Sequence, residues 1–396
     1  RYFDQCHAST VEVLPDGTPV AAWFGGRHEK SPDVAIWFSR RMGGEWTPPV
    51  RVADVEGVPC WNPVLFCHQD RLMLFYKVGH EIPQWQTMVI TSDDGGITWS
   101  EPRELVEGDF GGRGPVKNKP IHLKDGSILA PASVETASDW TAFVDHSEDG
   151  VHWTKSENVP FDARTYSGMG MIQPTLWQDE AGTVHMFLRS TEGAILSSES
   201  TDGGRSWSPA RRTSLPNNNC GIDLVRMEDG RIVLVYNPVS GNWAARSPIA
   251  FAVSEDNGRT FSEPQILDHV PCDKNEEQAE FSYPAIVSRG NDLYITYTWK
   301  RRTIAFWQIR MEPVAQPAAD GISDGVWVTM VTPFTKDGKE IDYPAVERLV
   351  NWYIEQGVDG LFAVCQSSEM FYLSREERRK LGKFVVEKAA GRVPVV

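Results

Sequence analysis

The chain has 396 residues, of which 41% are hydrophobic and 23% charged, the composition of a folded globular protein. Its net charge is −15 and it has no run of basic residues, which argues against nucleic acid or an anionic membrane as partner. No apolar stretch approaches the roughly 18 residues of a membrane span. The six cysteines lack metal-ligand spacing, so we expect buried free thiols and no metal site. We also expect no cofactor and a cytoplasmic location.

A short turn motif recurs along the first two thirds of the chain. Its pattern, S-x-D-x-G-x-x-W, is complete at Ser92–Trp99 and Ser200–Trp207, and variant copies end at Trp46, Trp153 and Phe261. The closing aromatic residues are 53, 54, 54 and 54 residues apart. Ser and Asp side chains can accept hydrogen bonds from the backbone of such a turn, and Gly supplies a positive φ. The near-constant spacing indicates an internal repeat.

Short β-rich segments separated by hairpin signals lie between these turns. Four such segments in most repeats, with no helical period, predict an all-β six-bladed propeller. The last repeat has only three segments, Pro284–Ser288, Leu293–Trp299 and Thr303–Ile309. We expect Arg1–Gln5 to supply the missing outer strand of this last blade and so to close the ring.

The pattern changes after residue 311. Residues 312–324 contain two prolines and no apolar period, which is typical of a linker. The region 325–396 then alternates between strand and helix signals. The predicted elements are Val326–Val331, Tyr343–Gln356, Gly360–Val364 and Ser374–Ala390. This β-α-β-α order predicts a separate, incomplete α/β domain with parallel strands.

The propeller prediction indicates which side chains converge. In each blade the first strand begins on one face, and the loop between the second and third strands opens on that face. Cations, amides and a few carboxylates occupy these positions, which suits the binding of an anionic sugar. The candidate site residues at these positions are His7, Asn62, Lys77, Lys117, Lys119, Glu135, Gln173, Arg189, Asp223, Tyr283 and Arg301.

The repeated turns, here called Asp-box turns, resemble those of the sialidase superfamily. Four further segments resemble its bacterial predicted-neuraminidase branch: Trp61–Phe66, Lys117–Pro120, Ile172–Leu176 and Phe281–Ala285. The resemblance covers residues 1–311 and implies a sialidase-like propeller with BNR repeats. Asp-box turns lie on the face opposite the site, so they identify the fold rather than the reaction.

The resemblance also implies roles for individual residues. Sialidases bind the substrate carboxylate with three arginines and use a tyrosine nucleophile, a glutamate that activates it and an aspartate as acid/base. Tyr283 matches the nucleophile and Asp33 the acid/base, while Glu135, with Glu280 second, would take the proton of Tyr283. The residues that would contact the carboxylate are Arg189, Arg246 and Arg301.

One position departs from the family pattern. Sialidases carry Arg-Ile-Pro in the first blade, where this chain has Cys6-His7-Ala8. Three functions therefore stay open, of which we expect the first: an exo-acting glycosidase that removes an acidic terminal sugar. The second is a uronate-directed lyase in which His7 or Tyr283 abstracts the proton next to the carboxylate. The third is a propeller that binds carbohydrate without catalysis.

Residues 325–396 resemble the start of the dihydrodipicolinate synthase/N-acetylneuraminate lyase family, through Gly325–Phe334 and Gly360–Glu369. The resemblance implies the first part of a TIM barrel, in which Ser367 and Ser368 would hold a 2-oxo acid carboxylate. The Schiff-base lysine of the family lies beyond this segment, so we expect no aldolase activity from it alone, and oligomerisation only through a complete barrel. Family members cleave 2-oxo-3-deoxy sugar acids, which implies an acidic carbohydrate as the substrate of the fused propeller.

Overall fold

The computed structural model describes residues 2–270, 280–312 and 325–396. They divide into two compact units, Arg1–Glu312 and Pro313–Val396. The predicted linker, 312–324, lies outside the described residues except for Glu312. No helix among the described residues is both long and apolar enough to cross a membrane.

The first unit is the predicted six-bladed β-propeller, in which each blade is an antiparallel sheet. Blade one consists of β1 (Gln5–Val13), β2 (Pro19–Gly26), β3 (Ala35–Met42), β4 (Glu45–Trp46) and β5 (Val50–Ala53). Blade two consists of β6 (Cys60–His68), β7 (Arg71–Val78), β8 (Gln86–Ser92) and β9 (Arg103–Glu104). Blade three consists of β10 (Ile121–His122), β11 (Ile128–Glu135), β12 (Trp140–Ser147) and β13 (Thr154–Lys155).

The other three blades follow the same order from the innermost strand outward. Blade four consists of β14 (Met171–Gln178), β15 (Val184–Ser190), β16 (Ala194–Ser200) and β17 (Arg211–Pro216). Blade five consists of β18 (Asp223–Arg226), β19 (Ile232–Tyr236), β20 (Ile249–Ser254) and β21 (Gln265–Asp268). Blade six consists of β22 (Phe281–Arg289), β23 (Asp292–Trp299) and β24 (Thr303–Arg310).

The expected pairing of Arg1–Gln5 with the last blade is wrong for residues 2–5, and Arg1 lies outside the described residues. Within the described residues blade six has three strands, and Gln5 instead pairs with Gly26 inside blade one. The preceding residues follow the same blade, because the Phe3 ring packs at 5.4 Å from the Trp37 ring. The ring closes by packing of β1 beside β22 and by a hydrogen bond of 2.9 Å from Cys6 N to Arg301 O.

The Asp-box turns hold their own backbone together. In the fourth blade Ser200 Oγ donates to Asp202 Oδ1 at 2.7 Å and accepts from Gly204 N at 2.8 Å. Asp202 Oδ1 also accepts from the backbone N–H groups of Arg205 and Ser206, each at 3.0 Å. Desolvation opposes ionisation, but these hydrogen bonds outweigh it and lower the pKa of Asp202 to about 2. The turn is therefore satisfied internally.

The glycine of each turn lets one blade approach the previous one. A Cβ on Gly204 of blade four would lie 2.7 Å from Leu129 Cδ1 of blade three, and a Cβ on Gly96 of blade two would overlap the Phe38 ring of blade one. Both glycines also have a positive φ, 85° and 89°. The repeat therefore needs glycine for conformation and for contact between blades.

The second unit contains the predicted parallel strands and helices. β25 (Trp327–Thr329) pairs in parallel with β26 (Gly360–Phe362), and α1 (Tyr343–Glu355) and α2 (Arg375–Ala389) connect and follow them. Ser374 and Glu377 form the predicted capping box of α2. This arrangement confirms the incomplete α/β barrel segment.

We expect Gly96→Ala to destabilise the propeller more than Gly44→Ala does. Both glycines have a φ near 90°, but nothing lies within 4 Å of a Cβ on Gly44. Gly44→Ala therefore costs only the backbone strain, whereas Gly96→Ala must also displace Phe38, an additional cost of about 1–3 kcal/mol. Urea unfolding of both variants measures the difference, and equal losses would contradict the role of Gly96 in blade contact.

Candidate active site

A cavity of about 410 Å³ lies where the inner strands of several blades begin. Four of these strands are irregular at that point: the pairing register shifts in β1, β6, β14 and β22. Each irregularity contains a non-glycine residue with positive φ, namely Ala8, Asn62, Gln173 and Tyr283. The last three line the cavity, so bulged and strained backbone is concentrated at the predicted site.

The phenol oxygen of Tyr283 is held by two hydrogen-bond donors. Arg189 Nη1 donates to it at 2.8 Å and Gln173 Nε2 at 3.4 Å. Arg189 is fixed in turn, because its Nε donates to Asn219 Oδ1 at 2.8 Å and its guanidinium lies 5.4 Å from the Trp140 ring. A cation and an amide donor aimed at one oxygen stabilise negative charge that develops on it.

The other two predicted arginines share one carboxylate. Arg246 Nη1 lies 2.6 Å from Glu280 Oε1, and Arg301 Nε lies 2.8 Å from Glu280 Oε2. Arg301 also donates to Glu29 at 2.6 Å. Burial by itself would raise the pKa of Glu280, but the hydrogen bond from Arg301 and the charges of both arginines hold it below its usual value. Glu280 is therefore an ionised anchor for these arginines.

His7 is buried against Tyr283. Their ring centroids are 4.2 Å apart, and His7 Nδ1 lies 2.9 Å from Thr298 Oγ1. Burial, followed by the charge of Arg301 and other cations nearby, holds the pKa of His7 well below its usual value. The imidazole is therefore neutral at neutral pH.

Glu135 is the last residue of β11 and lines the cavity. Its carboxylate has no hydrogen-bond partner among the described residues. Burial raises its pKa, and although the charge of Arg189 opposes this effect, the nearby charge of Glu29 adds to it. Among the described residues neither Glu135 nor Glu280 is hydrogen-bonded to the Tyr283 oxygen.

Asp33 lies in the loop between β2 and β3, outside the cavity lining. Its Oδ2 accepts from Arg27 N at 3.2 Å and lies 3.3 Å from Arg27 Nε, while Ser31 Oγ donates to Oδ1. Desolvation is outweighed by these hydrogen bonds, so the pKa of Asp33 is lowered. The contacts of Asp33 therefore stabilise the loop in which it lies.

Three other predicted residues are not among the residues that line the cavity, and their contacts connect several blades. Lys119 Nζ lies 3.0 Å from Asp223 Oδ2, and Asp223 also accepts from Thr175 Oγ1 at 2.8 Å and Ile286 N at 2.9 Å. Lys117 Nζ donates to backbone carbonyls, including that of Ile222 at 3.0 Å. The side chains of Lys117, Lys119 and Asp223 therefore join blades.

Lys77 lines the cavity, but its ammonium group is buried. Its Nζ donates to Thr87 Oγ1 at 2.6 Å and to Arg113 O at 2.8 Å. Burial lowers the pKa of Lys77 to about 7. These contacts attach the loop before β10 to blade two.

The cavity also contains residues that the sequence analysis did not select. Glu29 and Lys30 follow β2, and Trp243 lies between β19 and β20. All three lie in loops between the second and third strands of a blade, so the rule that selected Arg301 also applies to them. Trp61 and Trp85 also line the cavity.

In the second unit the two predicted serines, Ser367 and Ser368, differ in solvent exposure. Ser368 is buried and its Oγ donates to Met330 O at 2.6 Å, whereas Ser367 is exposed. The hydroxyl of Ser368 thus supports the loop between β26 and α2.

Family comparison agrees with this architecture. The BNR repeat-like domain matches residues 17–295, more than half of the chain, and the chain therefore belongs to that family. The dihydrodipicolinate synthetase family matches residues 322–396. In this segment the chain is 43% identical to the 4-hydroxy-tetrahydrodipicolinate synthase of Methylococcus capsulatus and 44% identical to that of Maridesulfovibrio salexigens, each over 72 residues. This segment is 18% of the chain and 24% of each relative, so the chain spans about a quarter of the length of the curated relatives it matches.

Solved structures share the propeller fold. A Dyadobacter fermentans protein of unknown function aligns with a TM-score of 0.61 and 16% identity, covering 79% of this chain and 96% of that one. The NanB sialidase of Streptococcus pneumoniae aligns with a TM-score of 0.61 and 12% identity, covering 78% of this chain and 69% of that one. Trypanosoma rangeli sialidase aligns with a TM-score of 0.60 and 13% identity, covering 85% of this chain and 60% of that one. At these identities the likenesses show the propeller fold.

We expect His7 to make stability depend on pH. In the unfolded chain this histidine takes up a proton near pH 6.5, whereas in the folded state its pKa is much lower and it stays neutral. The free energy of unfolding therefore falls as the pH drops below about 6.5, by at most about 1.4 kcal/mol per pH unit. His7→Gln should flatten this part of the profile in urea unfolding, and His80→Gln, at an exposed position, should not. An unchanged slope in His7→Gln would contradict the buried neutral imidazole.

Proposed function

We propose that the propeller is an exo-acting glycoside hydrolase that removes an acidic terminal sugar. The observation that carries the proposal is the phenol oxygen of Tyr283, which accepts hydrogen bonds from Arg189 and Gln173 at the wall of a cavity of about 410 Å³. A weak nucleophile needs activation, and donors that stabilise the phenolate supply it without a carboxylate in contact.

The reaction would proceed in two displacements. Tyr283 loses its proton to solvent, and its phenolate oxygen bonds to the anomeric carbon while the glycosidic C–O bond breaks and the leaving oxygen takes a proton from a carboxyl group of the site. Water then attacks the same carbon, gives its proton to that carboxylate, and the bond to Tyr283 breaks. Such a pathway retains the anomeric configuration.

The charges at the cavity favour an acidic sugar. Lys30, Arg189, Arg246 and Arg301 line it and exceed in number the two lining carboxylates. Arg246 and Arg301 each engage a carboxylate already, so a substrate carboxylate would join an existing ion-pair network rather than meet bare cations. Charge-assisted hydrogen bonds of this kind orient carboxylates well.

The second unit supports the same substrate class. Its resemblance to the N-acetylneuraminate lyase family associates the propeller with cleavage of 2-oxo-3-deoxy sugar acids, one of which would be the product of the propeller. In a complete barrel the hydroxyl of Ser367, exposed here, would remain available to a 2-oxo acid carboxylate.

A uronate-directed lyase is the second candidate, favoured by the position of His7. Its neutral imidazole packs at 4.2 Å from the Tyr283 ring, so a base and an activated phenol lie side by side. One of them would take the proton next to the uronate carboxylate as the C–O bond to the leaving sugar breaks, the leaving oxygen would take a proton from water, and a C=C bond would form.

The test compares 3′-sialyllactose with two uronate substrates, a glucuronyl-capped oligosaccharide and a rhamnosyl-capped one whose glucuronate carries the rhamnose at C4. We expect release of the free acidic sugar without ultraviolet absorbance of a conjugated double bond. Tyr283→Phe should lower kcat about 10²–10⁴-fold, the scale for loss of a positioned catalytic group. Tyr372→Phe, at an exposed position of the second unit, is the matched control and should keep full activity.

Other results assign the protein differently. A conjugated product would support the lyase, and binding of either sugar without turnover would support a carbohydrate-binding propeller. Full activity of Tyr283→Phe would show that the phenol oxygen takes no part.

A further inference from the structure

Three carboxylates lie at or beside the cavity, and two of them are ion-paired. Glu280 bridges Arg246 and Arg301 at 2.6 and 2.8 Å. Glu29 lies 2.6 Å from Arg301 Nη1. Glu135 lines the cavity with no hydrogen-bond or ion-pair partner among the described residues. It is therefore the carboxylate of this group that is free to exchange a proton with a ligand.

The position of Glu135 connects it to the proposed nucleophile. Glu135 ends β11 and pairs with Trp140 of β12. The Trp140 ring lies 5.4 Å from the Arg189 guanidinium, and Arg189 donates to Tyr283 at 2.8 Å. Glu135 and Tyr283 therefore line the same cavity, and the backbone of Glu135 pairs with the residue whose ring lies against the arginine that holds the phenol oxygen.

Burial gives Glu135 the protonation behaviour of a general acid. It raises the pKa of this carboxyl, the charge of Arg189 opposes the effect, and the charge of Glu29 adds to it. A carboxyl with a raised pKa holds its proton closer to neutral pH and can give it up as a bond breaks. Glu280, whose pKa is lowered, is a poor proton donor by comparison.

We propose that Glu135 is the acid/base catalyst of this site, in the role that the sequence resemblance gives to Asp33. In the first step Glu135 donates its proton to the glycosidic oxygen as Tyr283 bonds to the anomeric carbon. In the second step the Glu135 carboxylate takes a proton from the attacking water and the bond to Tyr283 breaks, which restores both groups. This assignment rests on the proposed hydrolysis.

Asp33 lacks the features that this role needs. It lies outside the cavity lining, and Arg27 and Ser31 occupy its oxygens. Its lowered pKa keeps it ionised over most of the pH range in which a general acid must hold a proton. Asp33 therefore serves as the competing assignment in the test.

The test uses two glycosides of N-acetylneuraminic acid that differ in their leaving group, 4-nitrophenyl and lactosyl. Nitrophenolate leaves without protonation, whereas the lactose hydroxyl needs a proton. We expect Glu135→Gln to lower kcat/KM for the lactosyl substrate about 10²–10⁴-fold and to change it little for the nitrophenyl substrate. In this variant the second step lacks its base and limits kcat for the nitrophenyl substrate, so azide should raise that kcat and yield a glycosyl azide.

The controls separate this inference from the proposed hydrolysis. Glu148→Gln, an exposed position beside an Asp-box turn, should behave as wild type with both substrates, and Tyr283→Phe should lose both. Retained nitrophenyl activity also shows that Glu135→Gln has folded. If wild type cleaves neither substrate nor the corresponding glucuronides, the proposed function fails and this assignment with it.

Two results would overturn the assignment of Glu135 alone. The first is an equal loss of kcat/KM for both leaving groups in folded Glu135→Gln, or no loss for either. The second is the leaving-group signature and azide rescue in Asp33→Asn rather than in Glu135→Gln. In both cases wild-type hydrolysis and its loss in Tyr283→Phe would leave the proposed function standing.

Discussion

The carboxylate of Asp223 joins the blades at the centre of the ring, and the geometry of the site depends on it. It accepts hydrogen bonds from Thr175 of blade four and Ile286 N of blade six, and it pairs with Lys119 beside blade three. Removing one partner of a buried ion pair typically costs about 3–5 kcal/mol. Thr175 lies two residues after Gln173, and Ile286 three residues after Tyr283, so the interaction that closes the ring also places the groups around the phenol oxygen.

The site combines one neutral titratable side chain with several ion-paired ones. His7 is neutral because burial and the surrounding cations hold its pKa well below its usual value. Glu280 is neutralised by two arginines, which leaves Arg189 to act on Tyr283. The phenol oxygen of Tyr283 is thus held by two donors and, among the described residues, by no carboxylate, and Glu135 has no ion-pair partner among those residues.

The sequence predicts best what is set locally and repeated. Each Asp-box turn satisfies its own hydrogen bonds, so the motif is visible locally, and its period of about 54 residues predicts six blades. The rule that the inner strands begin on one face brings His7, Gln173 and Tyr283 to one cavity. The sequence predicts poorly the features that depend on partners distant in the chain. Whether Glu135 or another carboxylate is ion-paired depends on arginines far away in the chain, and the placement of the first residues depends on aromatic packing within blade one. No spacing rule contains that information.

The most direct measurement of the central claim is mass spectrometry of the protein after incubation with 2,3-difluorosialic acid and with the corresponding fluorinated glucuronyl fluoride. Fluorine next to the anomeric carbon slows the second displacement, so a covalent intermediate accumulates. We expect one sugar adduct, on the peptide that contains Tyr283, and none in Tyr283→Phe. An adduct on another residue, or turnover of natural glycosides without any adduct at Tyr283, would contradict it.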